Sequence, residues 1–484
     1  LEYYRAGWEH GSLPIGPFHN SVGNVVSGMK ERVFYTDSLG TLRPTCIRKA
    51  SELFDVVRTV ATCIGDCSRA TGEEFISTRT GSKRKIYEAA RRDMSDNPTT
   101  LSELAKLGFF VKTESTVWNK LQVPRIISPR RPGYNYLLGR YLLHFEKPCY
   151  QALASLWGVD TVVSKGLTQE EKGALIADKL KPGWVCVGLD ASRFDQTIGK
   201  ELLTAEHEVY CQCYPGDRFL RELLKCQLDN SGRALCDDGM VKARIGAMRC
   251  SGDQNTSLGN CMISCMLAHL FCVEKGLLEV DCLNDGDDLL LFLPAVCLPK
   301  LDDLQDWYLQ WGLRMKVEPP AYRPEQVEFC QSKPVWTPRG YVLVRNPTKA
   351  LNTDFSGNGK LGDDNQYQVH LRSVGVCGLS MAAGIPILQS YYCWAIQHGR
   401  TGKNIESYNG IQYQGRIQQR AGHFARATDV DALTRESFAL AFGIEAAQQI
   451  NIEQGIADMP FSRRCDELNV IHPYFVENNL TLAD

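Results

Sequence analysis

Leu283-Asn284-Asp285-Gly286-Asp287-Asp288-Leu289-Leu290-Leu291-Phe292 sets three aspartates in a tight turn between two apolar runs. Continuous apolar sequence on both sides, to Leu293, reads as two buried strands joined by that turn. Asp-Gly is a favoured turn dipeptide, so one Gly-Asp-Asp is weak evidence by itself. The chain carries its own control: Gly362-Asp363-Asp364 lies in a polar run, 358–366, without flanking strands, and reads as a solvated loop. In the first copy, adjacent carboxylates at the tip of a buried hairpin repel each other, and a divalent cation would relieve that repulsion.

Working outward, Trp184-Val185-Cys186-Val187-Gly188-Leu189 is a short apolar run that ends on Asp190, with Asp195 five residues on. A strand that turns into a helix after Ala191 would set Asp195 one turn beyond Asp190. Helix capping is the plain alternative for both acids. Two strand-end carboxylate clusters could hold two metals about 4 Å apart, the arrangement for in-line phosphoryl transfer. All-oxygen ligands favour Mg²⁺, with Mn²⁺ a possible substitute. Ser251-Gly252-Asp253-Gln254-Asn255 is a polar loop that enters a helix read over 256–273. Thr256 and Asn260 share a face of that helix. Leu258, Met262, Ile263, Met266, Leu267 and Leu270 supply its apolar sides, so Asn260 is out of place there unless it bonds something specific. An N-cap with an incidental Asn is the bland reading.

The 484 residues carry 54 Lys+Arg against 56 Asp+Glu, a net charge of −2, with 44% hydrophobic and 23% charged residues. These values exclude a disordered chain and a uniformly basic, histone-like protein, but not a local phosphate-binding patch. Residues 79–92 hold six basic side chains and one acid, and 112–147 seven against two. The second run also contains Trp118, Tyr134, Tyr136 and Tyr141, and Pro124, Pro129, Pro132 and Gly133 interrupt it. No regular helix is expected to display these cations. A partly extended, basic, aromatic finger suits a phosphate-tracking channel, with a solvated face as the alternative. Apolar spacing over Ala50–Cys63 predicts an amphipathic helix, and 327–329 with 341–344 reads as a second hairpin. Loop and helix follow after 346. The 19 cysteines include no C-x-x-C pair and read as buried apolar residues in a reducing compartment. No stretch approaches the roughly 20 apolar residues of a membrane span, and no signal peptide is evident. The start at Leu1 rather than Met suggests a piece of a longer product.

Three of these segments, in this order, resemble motifs A, B and C of RNA-dependent RNA polymerases of positive-strand RNA viruses. Asp190 and Asp195 match D-x4-D; Ser251, Gly252, Thr256 and Asn260 match S-G-x3-T-x3-N; Gly286, Asp287 and Asp288 match G-D-D. Their wording looks closest to the tombusvirus-like group, the tombus- and carmovirus replicases. Val111-Lys112-Thr113-Glu114 with Pro124-Arg125-Ile126-Ile127 resembles motif F, the segment 312–318 motif D, 328–332 motif E, and 28–34 the start of the polymerase region.

That resemblance implies a helix-rich α+β fold, a closed right hand of fingers, palm and thumb whose palm is an antiparallel sheet backed by helices. It divides the chain into an N-terminal extension and fingers (1–183, with the basic segment 111–131), palm motif A (184–200), a fingers insertion (201–245), palm motifs B to E (246–345), and thumb with C-terminal region (346–484). It implies that Asp190 and Asp287 bind two metals, with Asp288 assisting and the Ala191 carbonyl as a further ligand. Asp195 and Asn260 would read the ribose 2′-OH, with Ser251 and Thr256 alongside; Lys112, Lys120 and Arg125 would hold the triphosphate. Lys316 would protonate the leaving pyrophosphate. Arg130, Arg131, Gly252, Cys330 and Gln331 would contact RNA. The implied partners are template and nascent RNA, ribonucleoside triphosphates, other viral replicase proteins and, through regions outside this chain, a cytoplasmic membrane of the host. Reverse transcription, a metal nuclease and an RNA-binding or capsid-like structural protein are the competing readings.

Overall fold

A computed structural model describes residues 3–6, 15–34, 44–114, 116–117, 123–358, 361–402 and 410–466. The acidic hairpin forms as its sequence predicts, with strands Asp281–Asp285 and Asp288–Pro294. They belong to a four-stranded antiparallel sheet in the order Met315–Val317, Trp184–Ala191, Asp288–Pro294, Asp281–Asp285. Both faces of this sheet are buried, which explains apolar runs without the alternation of a half-exposed strand. On one face Val185, Val187, Leu189, Leu289, Leu291 and Leu293 join the main core with the helices Thr256–Glu274 and Pro132–Leu156. On the other, Cys186, Leu290 and Phe292 pack with Ile176, Val327, Phe329 and Leu343.

The helix Thr256–Glu274 is long and apolar enough to cross a membrane by length and composition, contrary to the expectation that no stretch is. Most of it is buried inside the protein, so its hydrophobicity serves the core. The basic segment is also corrected. Pro132 occupies the first turn of a 25-residue helix, where its missing N–H costs nothing, so Arg140 and Lys147 do lie on a regular helix. Among the described residues before Pro132, Ile126–Ile127 is extended and pairs with Leu107–Val111. Leu107–Val111 runs parallel to Asn230–Cys236, which pairs with Gly239–Ile245 to complete a second four-stranded sheet. The segment 201–245 therefore splits. Helices Lys200–Cys213 and Arg218–Lys225 belong to the main core, and only the strands 230–245 join the second sheet.

The second hairpin is displaced from its expected position. Its strands are Ser332–Thr337 and Gly340–Arg345, and 327–329 precedes it. Cys330 and Gln331 adopt φ of 51° and 57°, and Phe329 and Ser332 exchange backbone hydrogen bonds of 2.9 and 3.0 Å across them. That two-residue turn reverses the chain before the strand begins. The control pair Asp363-Asp364 is solvated as expected, but at a helix start rather than in a loop: the Asp363 carboxylate accepts from the Gln366 N–H at 2.9 Å at the start of Asp364–Ala382. This helix, with Leu388–His398, Ala432–Phe442 and Ala446–Ala457, builds a separate core that also takes Val335, Val342 and Val344 from the hairpin. The strand Tyr3–Ala6 lies between Gly357–Asn358 and Arg463–Asp466, so the earliest described residues pack with this last region.

Arg130, expected at the RNA surface, is 3% exposed. Its guanidinium donates to Asp253 Oδ1 at 2.7 Å, Asn230 Oδ1 at 2.6 Å and the Ala105 carbonyl at 2.8 Å. It ties the extended segment, the second sheet and the loop before the central helix together, leaving no donor for RNA. Replacing it by Met strands the Asp253 carboxylate, and Arg130→Met is expected to lower unfolding stability by about 3–5 kcal/mol. Arg131→Met, at a half-exposed side chain, should cost no more than about 1 kcal/mol. Denaturant titration of both variants checks this, and equal losses would show that Arg130 does not anchor the fold.

Candidate active site

Strand register assembles the site. Lys316 is the cross-strand partner of Asp190, Asp190 of Asp288, and Asp288 of Asp285. One cation and three carboxylates thus form a row across the sheet where the strands reach the turn, with Asp287 beside them at its tip. Gly286 takes φ of 89°, a left-handed conformation that suits glycine at this reversal. Asn284 holds the turn from within. Its side chain accepts from the Gly286 N–H at 3.0 Å and donates to the Gly286 and Asp288 carbonyls at 2.9 and 3.1 Å.

The three turn carboxylates differ in environment. Burial raises Asp285, but Lys165 and Lys172 outweigh it and hold this carboxyl below its usual range, helped by the Ser164 hydroxyl at 2.8 Å. Asp287 reaches solvent, yet its protein surroundings push its carboxyl up, reinforced by the charges of Asp195 and Asp190. Asp288 is pushed up to about 6 by burial and by Asp287, against a thiol hydrogen bond from Cys330. Asp285 is therefore internally neutralised, whereas Asp287 and Asp288 are left in mutual repulsion, the state a cation relieves. Among the described residues, no three His, Cys, Asp or Glu side chains stand together so that they could hold a metal ion. Asp190, Asp287 and Asp288 present only oxygen donors at an open, solvent-facing end of the sheet.

Asp195 lies on the short helix Phe194–Thr197, which follows Arg193 in a left-handed conformation with φ of 56°. It caps nothing. Its Oδ1 accepts from Asn260 Nδ2 at 2.7 Å, and its Oδ2 from the Ser251 hydroxyl. Asn260 is buried and has the specific partner its sequence position demanded. Thr256 does not join this pair; its hydroxyl donates to the Cys250 carbonyl at 2.9 Å and closes the loop. Gly252 is exposed, with φ of 114°.

Lys112 and Arg125 sit on the paired strand ends and share Glu114, at 2.8 and 3.5 Å. Lys120 lies outside the described residues. Lys316 lies on a strand, largely exposed, with Nζ 2.6 Å from Glu318. Cys330 turns its thiol to Asp288 rather than outward, and Gln331 is exposed and accepts from Lys349.

Several participants escaped the sequence reading. Lys165 and Lys172 reach Asp285 across more than 110 residues, and no local pattern announces them. Arg193 bonds Glu31 on the helix Val22–Arg32, which packs so closely on the extended segment that a Cβ at Gly28 would lie 2.6 Å from Ile126. This helix links the basic strands to the turn between Asp190 and Asp195. Arg249 and Glu206 lie beneath Asn260. For these two a signal existed: a lone arginine among apolar neighbours, and a glutamate at helical spacing with Leu203, Val209 and Tyr210.

Known proteins resemble the chain along most of its length. The chain is 37% identical to the RNA-directed RNA polymerase of Tobacco necrosis virus (strain A) over 462 residues, 92% of this chain and 62% of that protein. It is 34% identical to that of Maize chlorotic mottle virus over 455 residues, 91% of this chain and 46% of that protein. For Turnip crinkle virus the identity is 31% over 454 residues, 91% and 58%. The chain thus spans about half to three fifths of the length of these relatives. The sequence profile described as viral RNA dependent RNA polymerase matches residues 3–464. A match over nearly the whole chain, with relatives at 31–37% identity, makes this chain a member of the viral RNA dependent RNA polymerase family.

Proposed function

We propose that the chain is an RNA-directed RNA polymerase, which adds ribonucleotides to an RNA 3′-OH under direction of an RNA template and releases pyrophosphate. The observation that carries this is the row of Asp190 and Asp288 on paired strands with Asp287 at the turn. Asp190, Asp287 and Asp288, with the Ala191 carbonyl, would hold two Mg²⁺ ions, for which Mn²⁺ can substitute. When bound, such ions supply activation of the attacking hydroxyl and stabilisation of charge at the transferring phosphoryl group. Lys112 and Arg125, with Lys120, orient the triphosphate by charge, and Lys316 delivers a proton to the leaving pyrophosphate. Asp195 and Asn260 read the 2′-OH: a pair built to bond a hydroxyl is left unsatisfied by a deoxyribose. A nuclease or a structural protein has no use for that pair, and a reverse transcriptase would need the opposite preference.

In this reading the acidic sheet and its helices are the palm, the second sheet belongs to the fingers, and the C-terminal helices form the thumb. Arg131, Gly252 and Gln331 remain candidates for RNA contact. Base choice is left to pairing with the template, so the protein needs backbone and shape contacts. The working setting is a membrane-associated replication complex in the host cytoplasm, with other viral replicase proteins as partners.

Asp287→Asn should lower Mg²⁺- or Mn²⁺-dependent ribonucleotide incorporation by at least ~100-fold, more than is typical of a residue that only supports a ligand. RNA binding in a gel-shift assay should survive this change. Strong residual synthesis would remove Asp287 from the metal site. Asn260→Ala is expected to lower the rNTP-over-dNTP ratio of kcat/KM by ~10–100-fold. An unaltered ratio would end the 2′-OH assignment.

A further inference from the structure

Beneath the Asp195–Asn260 pair lies an ion pair that the chemistry above does not use. Arg249 and Glu206 have side chains with no exposure at all. The Arg249 Nη2 group pairs with Glu206 Oε2, while its Nε donates to Asn260 Oδ1 at 2.9 Å. Glu206 is fixed in turn: its Oε1 accepts from the Tyr210 hydroxyl and from Asn255 Nδ2, each at 2.8 Å. Asn255 Oδ1 accepts from Gln227 Nε2 at 2.9 Å. A continuous buried chain of hydrogen bonds thus runs from the helix Lys200–Cys213 to the carboxylate of Asp195.

The chemistry of the end groups sets the direction of this chain. Arginine only donates, and an ionised aspartate only accepts. An amide held between them has one satisfied orientation, Oδ1 toward Arg249 and Nδ2 toward Asp195. Turning it over would set N–H against guanidinium on the buried Arg249 side and oxygen against carboxylate on the other. Gly259 carries an independent mark of the same arrangement. A Cβ there would lie 2.2 Å from Glu206 Oε1 and 2.4 Å from Arg249 Nη2, so the helix can seat on the ion pair only where it lacks a side chain. A buried ion pair gains little over apolar packing of the same volume, so stability alone does not account for it.

We propose that Arg249, held by Glu206, is a positioning residue for sugar selection: it locks the Asn260 amide with its N–H₂ toward Asp195, and so sets the polarity of the surface that meets the ribose 2′-OH. This rests on the reading of Asp195 and Asn260 as the 2′-OH contact. Arg249→Lys is the sharpest variant, because an ammonium can still pair with Glu206 but cannot also supply the Nε donor to Asn260. Single-nucleotide incorporation by the 484-residue chain, with matched rNTP and dNTP, should show the ratio of kcat/KM falling by ~10-fold. In an Asn260→Ala background the same change should have little further effect, because both alterations act through one amide.

A folded Arg249→Lys variant with the unaltered ratio, or effects that simply add, would overturn the inference while leaving the ribose reading intact. If Asn260→Ala itself leaves the ratio unchanged, the ribose reading falls and this inference with it. Should Arg249→Lys fail to fold, the double variant Glu206→Gln/Arg249→Met removes both charges together and must show the same loss of selectivity. A crystal structure of the folded variant gives a readout independent of turnover. Asn260 should leave Asp195 or occupy two orientations, and an unmoved 260–195 contact would overturn the proposal.

Discussion

Pairing between Trp184–Ala191 and Asp288–Pro294 forces Asp190 and Asp288 into adjacent positions on one face of a sheet. Like charges directly opposite are unfavourable in any sheet. Here the backbone ladder and two buried apolar faces impose the arrangement, since a slip of one residue would exchange the side chains fitted to the two cores. The rest of the site manages the resulting charge. Lys165 and Lys172 neutralise Asp285 from one side, and Lys316 stands next to Asp190 on the other. What remains uncompensated is the Asp287–Asp288 pair, and the fold's stability is spent on keeping that repulsion in place.

The parts legible in the sequence share one property: their signals are local and apolar. The strand ending on Asp190, the hairpin around Gly286 and the helix from Thr256 announce themselves by runs that only burial explains. Asn260 was legible for the converse reason, a polar residue where the helix should be apolar. Arg130 was misjudged because its neighbours in sequence are basic and interrupted by proline, which suggests a surface. Its partners Asp253 and Asn230 come from more than 95 residues away. The helix from Pro132 was missed because proline was read as a breaker, when at a first helical turn it is an opener. The second hairpin was misplaced because two non-glycine residues with positive φ, Cys330 and Gln331, reverse the chain before its first strand, and nothing in their chemistry advertises that turn.

The site is also supported from two directions that sequence order conceals. Val22–Arg32 reaches the turn after Asp190 through Glu31 and Arg193, and Lys200–Cys213 reaches Asn260 through Glu206 and Arg249. Nucleotide and ribose would therefore be met by side chains anchored on separate helices. A change in either helix can be felt at the carboxylates without touching them.

The three-stranded sheet near the C-terminal core has a bearing on how the molecule is made. Tyr3–Ala6 lies between Gly357–Asn358 and Arg463–Asp466, so neither of its edges can be satisfied until most of the chain has left the ribosome. The acidic hairpin, by contrast, closes over a handful of residues and can form at once. During synthesis Tyr3–Ala6 is an open edge, exposed to other nascent chains until the segments at 357–358 and 463–466 follow. Tyr3–Ala6 is thus made well before either of its partners, and the speed of translation, as much as the sequence, sets how long that edge waits.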